Sequence, residues 1–339
     1  MVHRPMPLLK RLRLEQEAIT FGAVGLLALA LLFGSGAFLD PNNLDSLQTA
    51  VTPNLMVAIG IMVLFVTGLF DLSIGAVMGL AGIVSAMALQ HGYGLPASIL
   101  LAAAVGVGIG LVNGLLVSYA GINHLIVTLG VMYMTRGIIE VLLKGVGIAG
   151  FTDYPASFLS IGNARFGGFY TAFVAVLVLA FVAEFVLRKT RLGRLLYFTG
   201  GNPDAAKLVG LDVKRIRLGA FVFSGLMAAL AGLFSTAHMG MANRYLGSGL
   251  EMNIIIACLV GGGSIAGGKG SVLGATLGVV FISLLTDAFN LFEVPAEWQS
   301  AVVGAILVAV VVFDGVMILR KQRRSWRSIL GIMQNVATA

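Results

Sequence analysis

Long apolar runs separated by short polar interruptions make up almost the whole chain. Runs of spanning or near-spanning length fall at 18–39, 54–70, 72–90, 95–120, 124–144, 169–187, 217–238, 253–267, 271–289 and 298–319. About 20 apolar residues in a helix cross the hydrocarbon core of a bilayer. In lipid the backbone must satisfy its own polar groups, which helices do within one segment. The pattern therefore predicts an all-α integral membrane protein, a polytopic bundle of about 10 transmembrane helices, some of them short or broken. It divides into a tail at 1–17, a transmembrane domain at 18–319 and a second tail at 320–339. One interruption inside the domain, the loop 188–217, is long.

Composition agrees. Apolar residues make up 58% and charged residues 11%, with mean hydropathy +0.98, whereas soluble domains carry about 25% charged residues. The 45 glycines suit helices that pack closely in lipid. The first apolar run is longer than a signal-peptide core and is read as a retained helix. The net charge of +7 is not the footprint of a nucleic-acid binder, because the basic residues sit at membrane edges. With ten crossings, eighteen Lys and Arg fall on one side, in the two tails, the 188–217 loop and at Lys269. Three (Lys144, Arg165, Arg244) fall on the other and Arg136 lies within a helix. Cytoplasmic loops carry the excess of Lys and Arg, so both termini and the long loop are expected in the cytoplasm. A single cysteine, Cys258, excludes an internal disulfide, and the four scattered histidines offer no metal-ligand spacing.

The long loop carries a miniature helix with its own start and stop signals, GGNPDAAKLVG at 200–210. Asn202 is an N-cap, Pro203 stands at the first helical position, and Asp204 meets the positive end of the helix. Gly210 supplies the residue that ends it in a left-handed conformation. So short a helix does not persist alone in water. Either a partner protein holds it, or it packs on its own membrane domain or in the headgroup layer.

Two spans are broken. Phe70-Asp71-Leu72-Ser73 joins two apolar runs with no loop. The run at 253–267 dissolves into Gly261, Gly262, Gly263, Ser264, Ile265, Ala266, Gly267, Gly268, Lys269 and Gly270. Short, Gly-interrupted segments point to a transport path. The spacing Gly75-x3-Gly79 and Gly270-x3-Gly274 reads either as an internal duplication or as ordinary small-residue packing. The segment 263–270 nearly matches the phosphate-binding pattern GxxxxGK[ST], but Gly270 replaces the hydroxyl that would hold Mg²⁺. The chain is therefore expected to hydrolyse no ATP itself.

Polar residues inside apolar runs are expensive and often functional. Asp71 is either such a residue or the start of the helix that follows. Ser73, Asn113, Thr128 and Arg136 are candidates for a translocation path; Asn113, Thr128 and Ser118 either line such a path or hydrogen-bond across helices. Arg136 and Glu140, four apart on one helix, are expected to pair. Glu184, Asp287 and Asp314 are expected at helix ends in interface water. There is no sizeable soluble domain and no catalytic signature such as GxSxG or HExxH, so no catalytic residue and no metal site are assigned.

With these residues in view, the chain resembles the membrane permeases of bacterial ABC sugar importers, of the ribose/xylose/arabinose type within the branched-chain amino-acid permease superfamily. The resemblance covers roughly residues 50–320. It rests on four ordered matches: GLFDLSIG at 68–75; Val112-Asn113-Gly114 with IVTLG at 126–130 and Arg136-Gly137; Gly200, Gly201, Asn202, Pro203, Asp204, Ala205 and Ala206 through Gly210; and the glycine-rich stretch 261–271. Leu69-Phe70 and Asn123-His124 depart from the family pattern near the expected path, which leaves the solute open. The resemblance implies that residues 200–210 seat on a cytoplasmic ABC ATPase that binds ATP and Mg²⁺. It also implies a second permease chain, identical or not, a periplasmic solute-binding protein and a place in the bacterial inner membrane. The expected cargo is a monosaccharide or related polyol. The alternatives are a branched-chain amino acid or nucleoside permease, or a gradient-driven secondary transporter using Asp71 or Glu140.

Overall fold

A computed structural model describes residues 8–147, 150–295, 297–299, 301–306, 308–309 and 312, with side chains from Glu17 onward. Among the described residues seven helices are long and apolar enough to cross a membrane: α1 (Leu8–Gly34, apolar from Glu17), α2 (Pro41–Val66), α4 (Leu95–Ser118), α5 (His124–Leu142), α7 (Thr171–Lys189), α10 (Val213–Met239) and α12 (Val272–Leu291). Two apolar helices are shorter, α3 (Ile74–Gln90) and α11 (Leu250–Val260). The chain is a multi-pass membrane protein. Nine of the ten expected runs thus contain one of these helices; of the tenth, 298–319, half the residues are described and those are helical, while Asp314 lies outside the described residues.

The boundaries follow local chemistry more than hydropathy. α2 starts at Pro41, well before the expected 54, because Asp40 accepts the amide of Asn42 at 2.8 Å and Pro41 takes the first helical position. α11 stops at Val260, where the glycine run begins, and not at 267. Ser271 Oγ starts α12 by accepting the Gly274 amide at 2.9 Å. The long loop holds two helices, where the sequence predicts one: α8 (Arg191–Gly201) precedes α9 (Pro203–Leu208). The opposite end of the bundle carries α6 (Ala156–Asn163) and a hairpin of β1 (Arg165–Phe166) and β2 (Phe169–Tyr170), elements too short for hydrophobic periodicity to announce.

α10 is the central helix, packed against α2, α3 and α4. Gly106, Gly110 and Gly114 let α4 run antiparallel along it, opposite Gly225, Phe221 and Leu218 respectively. α3 runs parallel to α10, with Met78 against Gly232 and Gly82 beside Thr236. By that register α3 starts level with about residue 228, near the middle of α10. The chain between α10 and α11 folds back from the far end of α10 to the same depth, because Gly247 meets Gly75 backbone to backbone and the Leu246 carbonyl meets Gly79. Two half-length helices, α3 and α11, therefore begin close together inside the bundle.

Three carboxylates differ from expectation. Arg136 does not pair with Glu140. Arg136 Nη1 donates to the carbonyls of Leu246 at 3.0 Å and Arg244 at 3.4 Å, while Glu140 pairs with Arg244 at 3.1 Å. Both side chains fasten α5 to the folded-back segment. Glu184 and Asp287 do not simply face interface water. Glu184 binds Arg188 and accepts the amides of Val272 at 2.6 Å and Leu273 at 3.1 Å, groups that have no acceptor inside α12. Asp287 is buried and accepts from Asn43 Nδ2 at 3.1 Å.

Candidate functional site

The helix predicted at 200–210 forms from its local signals. Asn202 Oδ1 accepts the Ala205 amide at 3.0 Å, Pro203 opens α9, and Asp204 pairs with Lys207 at 2.9 Å. The Gly210 and Leu211 amides close the last turn on Lys207 and Ala206 at 2.9 and 3.1 Å, with Gly210 at φ +81°. One side is anchored, with Ala206 fully buried, while Leu208 and Val209 are 89% and 73% exposed. Beside them Arg191, Arg194, Leu195, Phe198, Val209 and Leu211 line a groove of about 370 Å³. Apolar side chains ringed by arginine, on a segment outside the long helices, form a surface suited to a protein partner.

α8 joins this surface to the bundle, and the junction is built from backbone. Gly200 lies so close to the Val66 carbonyl that a Cβ would overlap it, and the same Cβ would stand 2.9 Å from the Gly268 amide and 2.9 Å from the Thr67 carbonyl carbon. A Cβ on Gly267, which has φ +81°, would stand 2.6 Å from Gly68 Cα and 2.8 Å from the Gly200 oxygen. One on Gly268 would stand 2.8 Å from Gly201 Cα. The Gly268 amide donates to Val66 O at 3.0 Å, and Tyr197 Oη donates to Gly270 O at 2.7 Å. The end of α8 is therefore wedged between the break after α2 and the glycine-rich turn after α11. Within that turn, Gly261 packs on Gly274 of α12, Gly262 has φ +87°, and Gly263 sits over Phe65 of α2. The structure thus brings together two groups of residues that the sequence singles out separately.

A second cluster lies at the start of α3. Asp71 Oδ1 accepts the Ser73 amide at 2.7 Å and the Ser73 hydroxyl at 2.6 Å. Asn113 Nδ2, from α4, donates to Asp71 Oδ2 at 3.2 Å and to Ser73 Oγ at 2.9 Å. All three residues are almost wholly buried, and Asn113 Oδ1 has no partner among the described residues. Asp71 lies two residues before Ser73, the N-cap of α3, and it sits inside the bundle with α4 clamped to it. Thr128 is apart from the cluster and bonds back to His124 O at 2.8 Å. Arg136 flanks α3 one turn further on, where a Cβ on Gly79 would lie 3.4 Å from its Nη1. Ser118 Oγ is buried without a partner among the described residues.

Sequence reading missed a third anchor next to α8. Glu17 of α1 accepts from Ser271 Oγ at 2.6 Å and from Arg188 Nη2 at 2.7 Å, and Arg188 also binds Glu184. This cluster ties α1, α7 and α12 together. Its members are more than 80 residues apart from one partner to the next, except the Glu184–Arg188 pair, whose i, i+4 spacing was the one available signal. Among the described residues no group of three His, Cys, Asp or Glu is placed to hold a metal ion.

The family model described as branched-chain amino acid transport system / permease component matches residues 43–311, which include every residue of the junction and of the Asp71 cluster. The autoinducer 2 import system permease protein LsrC of Yersinia enterocolitica is 35% identical over 295 residues, covering 86% of this chain and 81% of that protein. LsrC of Escherichia coli strain SMS-3-5 is 35% identical over 297 residues, covering 86% and 85%. In fold, the chain is similar to an inward-facing structure of an ABC transporter assigned to the metal-chelate type. The TM-score is 0.51 at 17% identity, over 88% of this chain and 99% of the other.

Proposed function

We propose, from the premise that this chain belongs to the branched-chain amino acid transport system permease family, that it is the membrane-spanning subunit of an ATP-driven importer for a sugar-type solute. The relatives are named for autoinducer 2 import; the cargo proposed here is a small neutral monosaccharide or related polyol. The α8–α9 end is assigned to the cytoplasm together with both termini, in a ten-crossing domain spanning 18–319. α9, with its exposed Leu208 and Val209, seats on a separate ATPase that carries ATP and Mg²⁺. A second permease chain completes the pathway, and a periplasmic binding protein delivers the solute.

The observation that carries this reading is the junction at Gly200. A force applied to α9 passes through α8 into the backbone of both helix breaks, because no side chain lies between them to absorb the displacement. Packed backbones move as rigid bodies between discrete arrangements. The break after α2 leads within five residues to the Asp71–Ser73–Asn113 cluster, so tilting α8 would reorient the start of α3. Alternation between outward and inward access then follows from ATP-driven movement of α9, with no covalent chemistry in this chain.

Purification of the tagged chain from its native membrane in mild detergent, with mass spectrometry of the proteins that accompany it, tests the assignment. A soluble ATPase should be recovered with the native chain and lost with Asp204→Lys and Gly210→Val. Undiminished recovery with both variants, or consistent absence of an ATPase from a folded preparation, would refute it.

A further inference from the structure

We infer that the open cleft bordered by α2, α10 and the folded-back segment leading into α11 is a binding site for a neutral, polyhydroxylated solute of monosaccharide size. The inference rests on the transport reading above and adds to it a location and a recognition chemistry. The cleft measures about 660 Å³, within the roughly 300–1,000 Å³ of small-molecule sites. Three asparagines from three different segments line it, Asn54 of α2, Asn243 before α11 and Asn253 within α11, together with Ser235 and Ser248. No Asp, Glu, Lys or Arg is among its lining residues.

That lining selects a ligand. An amide offers two donors and an acceptor, and a serine hydroxyl offers both roles, which matches a sugar hydroxyl that is itself donor and acceptor. Asn243 is partly committed, its Oδ1 accepting the Tyr245 amide at 3.0 Å. Asn54 and Asn253 form no side-chain hydrogen bond to another described residue. Asn54 is half-buried, and Asn253 and Ser248 are exposed in the cleft, so their polar groups are accessible to a solute. Much of the remaining wall is aromatic or apolar: Phe234 stacks on His238 with ring centroids 5.9 Å apart and planes 7° from parallel, Met78, Met239 and Leu246 also line it, and Thr49 adds a hydroxyl. Such a wall suits the C–H face of a pyranose or furanose ring. A zwitterionic amino acid or a sugar phosphate would bring charges into this space with no counter-charge, at a high desolvation cost.

The site is also placed to be felt by the rest of the bundle. Gly247 lines the cleft and meets Gly75 backbone to backbone, in the first turn of α3 directly after the Asp71 cluster.

The test uses the full chain in nanodiscs with Ser248→Cys as a reporter, since the native Cys258 is buried. Maleimide labelling is timed with D-ribose, D-glucose, L-leucine or ribose 5-phosphate present. For a Kd on the order of 1 mM, about 10 mM of a fitting sugar slows labelling about tenfold. Protection by one of the neutral sugars, absent with L-leucine and ribose 5-phosphate, is expected. It should disappear in Asn253→Leu and in Asn54→Leu, each checked for folding by thermal unfolding. Absence of protection by either sugar, or equal protection by L-leucine, would overturn the assignment. ATPase recovery from the same preparation separates the two readings. Recovery without protection overturns the cleft alone, and loss of recovery overturns the transporter reading itself.

Discussion

Replacing Gly200 with alanine perturbs the junction at its narrowest point. The new Cβ would overlap Val66 O and press on the Gly268 amide and the Thr67 carbonyl carbon at 2.9 Å each. All three are backbone atoms, so no rotamer change relieves the contact. Either the end of α8 shifts away or the two breaks separate, which also weakens the Gly268–Val66 hydrogen bond, now 3.0 Å. Forced overpacking costs about 1–3 kcal/mol and a lost internal hydrogen bond about 1 kcal/mol. Against this, alanine in a helix is better than glycine by about 0.5–1 kcal/mol. Gly201 is the matched control, since it lies in the same helix and a Cβ there meets nothing within 4 Å. Gly201→Ala should keep the propensity gain with no clash. Thermal unfolding in detergent should rank Gly201→Ala above the native chain and Gly200→Ala below Gly201→Ala by about 2–4 kcal/mol, the shared propensity gain cancelling. In the reconstituted transporter, Gly200→Ala should still bind the ATPase, because Leu208 and Val209 are untouched, yet lose solute-stimulated ATP hydrolysis. If the two variants match in unfolding and in coupling, the backbone wedge is not the transmission element and the argument fails.

Three further changes follow from the same geometry. Asn202→Ala removes the only side-chain cap of a six-residue helix, costing about 1 kcal/mol; ATPase recovery should fall, and Asn202→Asp, which keeps the acceptor, should retain it. Asn113→Leu takes the donor away from Asp71 and Ser73 in a buried site, with an expected loss of about 1–3 kcal/mol read as a lower unfolding midpoint; Asn113→Asp, which sets a second carboxylate against the first, should be worse, and the reverse order would refute the assigned hydrogen bonds. Arg188→Met removes the cation between Glu17 and Glu184, a loss of about 1–3 kcal/mol that the partial exposure of Arg188 keeps towards the lower end. Adding Glu17→Gln to that variant should restore part of the loss, and a purely additive double mutant would rule out the proposed coupling.

What the sequence made legible depended on how local the cause was. The 203–208 helix could be read because Asn202, Pro203, Asp204 and Gly210 each act within one turn. The apolar runs could be read because each helix in lipid satisfies its own backbone. The junction could not, although every one of its glycines was visible, because Gly68, Gly200 and Gly267 meet through main chain across separations of 132 and 67 residues. A glycine that permits close approach looks in sequence the same as one that permits a turn. The pairing of Arg136 with Glu140 failed for a related reason. The i, i+4 rule describes two side chains with no better partner, and here the folded-back segment offers Arg136 two carbonyls and Glu140 an arginine. A segment read as an external loop therefore replaced both expected partners. Gly240, Gly247 and Gly249, all at positive φ, were the trace it left, since three left-handed turns in ten residues bend a chain back on itself. The same bend borders the asparagine-lined cleft and sets Gly247 on Gly75, so the fold's least predictable segment is also the one that joins the candidate solute site to the start of α3.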